Sequence, residues 1–296
     1  YDHALDRLYG GRIDSEVYGR YVDVITAHRL NLDHIYRRQP PDLDLIQQLA
    51  GAGQLNAFNL WYLKADEMGT TDQLEQVAAE LEPYVAELRR RGLVDRAYLY
   101  GFDEVQPDQF GRLEKTFAFF KERFPDVKTM TTALDPGYGL LTGLGAVVDI
   151  WVPLTLAYDR SQAVRARAAG NEVWWYVAHA PFYPHANWLV ESAALEARLL
   201  WWMTHGWEVD GFLYYAVNRW PRQRELLRRE RGNRTNWDPA SFRTNNGAGD
   251  LLYAGADGPV TTIRLENIRD GIEELELLRL LPPAEAGDLV AEVASS

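Results

Sequence analysis

Two adjacent carboxylates, Asp103 and Glu104, directly follow the stretch RAYLYGF (96–102). That stretch is rich in apolar and aromatic residues, which is typical of a buried strand. Paired carboxyl groups can supply the acid and the base of a proton-transfer reaction. A lone acid at this position would more often cap the next helix, which is predicted to begin near Pro107. The residues at the other strand ends must decide between these two interpretations.

Aromatic and amide side chains at the ends of other predicted strands favour catalysis. These residues end or follow the stretches 54–63, 146–154, 172–180 and 209–217. Any single aromatic residue among them can belong to the core, but a ring of them around a carboxylate pair is typical of a sugar-binding site. We predict that the substrate-binding residues are Trp61, Trp151, Tyr176, Tyr215, Asn218 and Trp220.

The elements that would carry these residues alternate along the chain. Strands are predicted at 32–37, 54–63, 96–102, 127–133, 146–154, 172–180 and 209–217. Helices are predicted at 15–30, 44–53, 70–91, 107–124, 161–169, 188–205 and 265–281. Apolar and β-branched strands that alternate with helices indicate the α/β class with a parallel sheet.

The predicted architecture is a (β/α)8, TIM-like barrel whose first strand lies upstream of residue 1. On that count 96–102 is the fourth strand and 209–217 the eighth, and barrel active sites lie at the carboxyl ends of the strands. A doubly wound sheet is the alternative, although no nucleotide-binding glycine fingerprint accompanies the strands. We expect residues 1–296 to form one glycosidase-like barrel domain, with a long loop at 219–250 and a closing helix at 265–281.

The composition of the chain argues against several classes of binding partner and favours one. The net charge of -12 argues against a nucleic-acid partner, and no apolar run is long enough for a membrane span. The 10 Trp and 16 Tyr favour a carbohydrate or glycoconjugate substrate. No cofactor or metal is expected, because the chain has no cysteine and His179 and His185 lack the spacing of a zinc pair. There is also no G-x-S-x-G motif for a serine nucleophile.

An arginine-rich segment, 219–234, follows the last predicted strand. It is interpreted either as a solvated helix face or as a rim that favours an anionic or sulfated substrate.

Five ordered motifs carry a resemblance to a known family. They are YLYGFDE, DIWVP, EVWWYVAHAPFYPHANWLVES, WWMTHGWEVDGFLYYAVNRW and IRLENIRDGIEELELL. Together they closely resemble glycoside hydrolase family 123, whose members are β-N-acetylgalactosaminidases on a (β/α)8 barrel. The resemblance covers most of residues 15–281.

The resemblance implies a retaining, substrate-assisted hydrolase of β-linked 2-acetamido sugars. In the family pattern, Asp103 matches the residue that orients the 2-acetamido group, and Glu104 matches the general acid/base. The sequence departs from the family pattern in two places: Val105 follows the pair in place of the usual proline, and GIEELELL (271–278) replaces an Asp-Tyr-Glu-Tyr run. The first departure is consistent with a subgroup that has another sugar preference.

Two alternatives remain open from the sequence. Glu104 could act with a distant carboxylate, such as Asp149 or Glu191, on a sugar without an acetamido group. The chain could also be a carbohydrate-binding barrel without turnover. It opens at Tyr1 and has no signal peptide, so we expect an upstream domain in the full-length protein. A secreted or cell-surface bacterial location is favoured.

Overall fold

The computed structural model describes Leu5, Tyr9 and residues 15–220, 240–242, 245–255 and 257–294. These residues form two compact units. The sheet unit spans Asn31–Tyr176, and the helix unit combines the described residues up to Leu30 with those from Val177 onward. The predicted α/β class is confirmed.

A parallel sheet forms the centre of the sheet unit. Its strands are β1 (Phe58–Leu63), β2 (Ala97–Gly101), β3 (Lys128–Thr131), β4 (Ile150–Trp151) and β5 (Glu172–Val173). They lie side by side in sequence order, and each neighbouring pair is parallel. A doubly wound sheet reverses its strand order at a switch point, and these five strands show no reversal. A further short strand, β6 (Trp175–Tyr176), ends the unit.

The helices of the sheet unit are α2 (Leu43–Gly51), α3 (Thr71–Arg91), α4 (Phe110–Arg123) and α5 (Arg160–Ala168). The predicted capping box of α3 is confirmed: Thr70 accepts from the Gln73 backbone, and the Gln73 side chain accepts from the Thr70 backbone. All five residues of β2 are buried, as expected for a parallel strand covered on both faces. The carboxylate pair therefore follows closely on a fully buried strand.

The predicted strand at 32–37 is wrong. Side-chain hydrogen bonds, in place of the backbone bonds of paired strands, hold this segment beside β1. Asp33 accepts from the Asn59 backbone amide, and the Asn59 side chain donates to the Ile35 carbonyl. The Arg37 amide bonds back to the His34 carbonyl in a turn. Short polar side chains that bond to the nearby backbone compete with regular structure in this way. Residues 96–102 contain the second strand of the described sheet.

The helix unit contains α1 (Ser15–Ala27), α6 (Glu196–Gly206), α7 (Ile263–Leu280) and α8 (Pro283–Val293). Its core includes a stack in which Trp188 lies 4.7 Å from the Phe212 ring and 6.1 Å from Trp201. The helices α6 and α7 approach closely at Gly271, where an added Cβ would lie 2.4 Å from the Trp201 ring. A glycine is therefore required at this crossing.

Several boundaries in the helix unit differ from prediction. The helix predicted at 188–205 begins only at Glu196, whose carboxylate accepts from the amides of Asn187 and Ala193 and so favours turns before it. The strand predicted at 209–217 is reduced to β7 (Phe212–Leu213). The helix α8 was not predicted.

The stretch predicted as a long loop, 219–250, contains two short antiparallel strands. They are β8 (Ala240–Phe242) and β9 (Asn245–Asn246), and a hairpin of β10 (Leu252–Ala254) and β11 (Pro259–Thr261) follows. Most of the arginine-rich segment, 221–234, lies outside the described residues.

Candidate active site

The carboxylate pair lies on a tight turn, Phe102–Val105, which we call the carboxylate turn. It begins where β1 and β2 converge, because a Cβ on Gly101 would lie 2.6 Å from the Leu63 carbonyl oxygen. Phe102 and Glu104 then adopt φ values of 53° and 52°. Left-handed backbone is costly for residues with a Cβ, and such strain is concentrated at functional sites.

This turn explains how two adjacent carboxylates can escape the alternation of side chains along a strand. Neighbouring residues on a regular strand point to opposite faces, but β2 ends at Gly101, before both carboxylates. Asp103 is partly buried and Glu104 is exposed. The second left-handed residue redirects the chain between the two side chains, so the alternation of a strand no longer applies to them.

Three hydroxyl groups surround the Asp103 carboxylate. Tyr100 donates to Oδ1 at 2.5 Å, and Thr132 donates to the same oxygen at 2.9 Å. Tyr36 donates to Oδ2 at 3.2 Å. Hydrogen bonds of a carboxylate with several donors fix its orientation. The longer bond at Oδ2 leaves this oxygen with the greater capacity to accept another hydrogen.

Glu104 is held through both its side chain and its backbone. The Tyr176 hydroxyl donates to Oε1 of Glu104, and the Glu104 amide donates to Oγ1 of Thr132 at 2.9 Å. Burial raises the pKa of Tyr176, and its hydrogen bond to Glu104 raises that pKa further. Tyr176 therefore keeps its proton and acts as a donor throughout the neutral range.

Tyrosine rings pack around the Asp103 side of the site. Tyr62 stacks on Tyr100 with centroids 5.6 Å apart, and Tyr36 meets Tyr62 edge-on at 5.1 Å. The Arg38 guanidinium lies 5.3 Å from the Tyr62 centroid. Burial raises the pKa of Tyr62, with a further contribution from the Asp103 charge. The pKa of Tyr100 is raised by burial and then by Asp103.

Three residues that hold the pair are not apparent as site residues in the sequence: Tyr36, Tyr100 and Thr132. Thr132 could have been found, because it lies just past the carboxyl end of β3, where barrel sites collect residues. Tyr36 lay in a segment taken for a strand, and Tyr100 was assigned to the buried strand. Nothing local marked either of them as a partner of Asp103.

The predicted binding residues of the sheet unit have different surroundings. Tyr176 contacts Glu104 through its hydroxyl. Trp61 on β1 and Trp151 on β4 are buried, with exposed fractions of 7% and 1%. Burial of this degree is also common for tryptophan in a core. Sugar binding by these residues stays a prediction.

The other three predicted binding residues belong to the helix unit. Tyr215 is partly buried beside Gly249, and the Arg219 guanidinium lies 6.0 Å from its ring centroid. Asn218 is buried and forms an isolated antiparallel bridge with Asp250. Trp220 is buried, and its indole donates to the Leu252 carbonyl at 2.6 Å. That contact is typical of a core tryptophan.

The alternative carboxylates have structural partners. Asp149 precedes β4, at the opposite end of the parallel strands from the carboxylate turn. It pairs with Lys121 at 2.5 Å and accepts from the Thr129 amide at 2.8 Å. Glu191 accepts from the backbone and side-chain amides of Asn246. Asp149 is therefore poorly placed to act with Glu104 on one sugar.

Among the described residues, no group of three or more His, Cys, Asp or Glu side chains lies close enough together to hold a metal ion. In the same part of the chain, no helix combines the length and the apolar composition needed to cross a membrane.

The chain is similar to known proteins both in sequence and in structure. The family profile "Glycoside hydrolase 123, catalytic domain" matches residues 55–281. A family 123 glycoside hydrolase from Clostridium perfringens, whose structure was analysed for the details of glycolipid glycan hydrolysis, matches with a TM-score of 0.68 at 13% identity. The match covers 99% of this chain and 61% of that chain. At this identity the likeness shows the fold.

A second structure, named "Putative glycerophosphoryl diester phosphodiesterase" from Silicibacter pomeroyi DSS-3, matches with a TM-score of 0.36 at 18% identity. It covers 57% of this chain and 50% of that chain, and the score is too low to indicate a shared fold. No curated protein sequence matches the chain.

Proposed function

Because the chain belongs to glycoside hydrolase family 123, we propose that it hydrolyses β-linked 2-acetamido sugars of the N-acetylgalactosamine type. The reaction proceeds with retention and with the acetamido group of the substrate as nucleophile. Asp103 orients that group, and Glu104 is the general acid and base. The proposed fold is a (β/α)8 barrel that includes the described parallel sheet, with residues 1–296 as one glycosidase domain.

In the first step, the acetamido oxygen attacks C1 as the bond from C1 to the leaving oxygen breaks. Glu104 gives its proton to the leaving oxygen, and Asp103 accepts a hydrogen bond from the amide nitrogen, which gains positive character. In the second step, Glu104 takes a proton from water as that water attacks C1 and reopens the oxazolinium ring. The two inversions give net retention, and no protein atom becomes bonded to the sugar.

The observation that carries this proposal is the environment of Asp103. Tyr100 and Thr132 both donate to Oδ1, while Oδ2 accepts one longer bond from Tyr36. The carboxylate is thus fixed as an acceptor, with Oδ2 the better placed to receive an amide hydrogen. A preorganised acceptor assists most where charge develops in the transition state. A conventional retaining enzyme would need a second nucleophilic carboxylate about 5 Å from the acid, and Asp149 lies at the opposite strand ends.

The exposure of Glu104 suits a group that must meet both a leaving oxygen and water. Glu104→Gln removes the proton donor and retains the size of the side chain. We expect a loss of about 10²–10⁴-fold in kcat/KM on aryl 2-acetamido-β-galactosides with poor leaving groups. Substrates with good leaving groups should lose much less. Equal and mild losses on both kinds of substrate would exclude Glu104 as the acid.

Product analysis tests the stereochemical part separately. Proton NMR of the first product anomer should show the β form before mutarotation. An initial α product would contradict retention, and a trapped covalent glycosyl-enzyme would contradict the substrate-assisted step.

A further inference from the structure

The end of β3 and the residues that follow it, Thr131–Leu134, are joined to the carboxylate turn by four hydrogen bonds. Two of these bonds end on backbone carbonyls of the outer residues of the turn. The Thr131 hydroxyl donates to the Phe102 carbonyl at 3.0 Å, and the Leu134 amide donates to the Val105 carbonyl at 2.9 Å. The other two meet at a single atom, Oγ1 of Thr132.

That one hydroxyl group contacts both members of the pair. It accepts the hydrogen of the Glu104 amide and donates its own hydrogen to Oδ1 of Asp103, each at 2.9 Å. A threonine hydroxyl has one hydrogen to donate and two lone pairs, so both bonds can form together. The side chain is only 2% exposed, which excludes water as a ready replacement.

The backbone conformation gives this contact a specific task. Glu104 is left-handed, with a φ of 52°, although it is not glycine. Such conformations persist only where the surroundings determine them strongly. The bond from the Glu104 amide to Thr132 fixes the residue in this conformation, and the same oxygen atom fixes the Asp103 carboxylate. The relative placement of the two carboxylates therefore depends on one atom.

We propose that Thr132 is a positioning residue for the reaction: it fixes the carboxylate of Asp103 and the backbone of Glu104 relative to each other. This inference rests on the proposed function of the pair. Thr132 itself touches neither the sugar nor the reacting atoms.

The test compares Thr132→Val, which keeps the shape and removes the hydroxyl, with Thr132→Ser, which keeps the hydroxyl. The matched control is Thr129→Val in β3, the strand that Thr132 directly follows. Thr129 is equally buried, and its hydroxyl donates to the Val147 carbonyl at the other end of β3. All variants are assayed in the full chain on an aryl 2-acetamido-β-galactoside with a poor leaving group, beside Asp103→Asn and Glu104→Gln.

Thr132→Val should lower kcat by about 10- to 100-fold, the factor expected for one lost hydrogen bond to a charged group. KM should change by less than about threefold, because the lost interaction acts in the transition state. Thr132→Ser should recover most of kcat. Thr129→Val should keep kcat within about twofold even if its melting temperature falls as far as that of Thr132→Val.

A double-mutant cycle distinguishes positioning from a general loss of stability. If Thr132 acts through Asp103, Thr132→Val should cause little further loss in an Asp103→Asn background. If Thr132→Val does not fold, Thr132→Ala carries the same comparison.

Three outcomes overturn the inference. Thr132→Val could keep kcat while Asp103→Asn and Glu104→Gln lose it, which would exclude the positioning role of Thr132 and leave the proposed function standing. Its loss could be multiplicative both with that of Asp103→Asn and with that of Glu104→Gln, which would make its role structural. If Asp103→Asn and Glu104→Gln both remain active, the proposed function fails and the inference falls with it.

Discussion

Asp103→Asn is the most informative single change, because it alters the charge and hydrogen-bonding capacity of the side chain and little else. Asp103 accepts hydrogen bonds from Tyr100 and Thr132 at one oxygen and from Tyr36 at the other. An asparagine can accept on only one side. Its amide oxygen should face Tyr100 and Thr132, since both of these hydroxyls donate there.

The NH₂ group of the asparagine would then occupy the position of Oδ2. The Tyr36 hydroxyl can rotate to accept from it, so the fold should tolerate the change. The substrate amide, however, would meet a donor where it needs an acceptor. The interaction lost is the one that grows as the amide nitrogen gains charge. Loss of one preorganised group of this kind costs about 10²–10³-fold in kcat.

The assay is a series of initial rates on an aryl 2-acetamido-β-galactoside, with kcat and KM resolved separately. We expect kcat to fall by about 10²–10³-fold with KM nearly unchanged, and a thiazoline mimic of the bicyclic intermediate to bind the variant more weakly. The control is Asp108→Asn, an exposed acid in the turn at Pro107–Gln109, which should retain full activity. A kcat for Asp103→Asn within threefold of the parent value would refute the reasoning.

Three other changes test separate parts of the structure. Tyr176→Phe removes the hydroxyl that donates to the Glu104 carboxylate and should lower kcat by about 10-fold, the factor expected for one lost hydrogen bond to a charged group; an unchanged kcat would exclude this role. Gly101→Ala places a Cβ 2.6 Å from a backbone oxygen of β1 and should cost about 1–3 kcal/mol in denaturant unfolding. Gly111→Ala, whose Cβ would meet nothing within 4 Å, is its control and should be neutral or stabilising. Asp149→Asn should lower the melting temperature while kcat stays the same, whereas a collapse of kcat would favour the two-carboxylate alternative.

The order of the elements followed from the sequence because their signals are local. Thr70 and Gln73 lie within one helical turn, so their spacing predicts the capping box that starts α3. The apolar run at 96–102 predicts a buried strand for the same reason, and β2 lies within it. The strand predicted at 32–37 failed because Asp33 bonds to Asn59, a partner 26 positions away, and no local pattern reports such a bond.

The pair itself could be located from the sequence, because two acids after a buried strand must emerge at the strand end. The tyrosines that hold the pair could not be assigned to it from any local pattern. Asp103 meets Tyr36 across 67 positions and Thr132 across 29, and Glu104 meets Tyr176 across 72. These contacts exist because parallel strands in register bring their carboxyl ends to one edge, and because the left-handed Phe102 and Glu104 turn the chain there. The sequence by itself determined which residues could do the chemistry; the packing of distant segments decided which hydroxyl groups orient them.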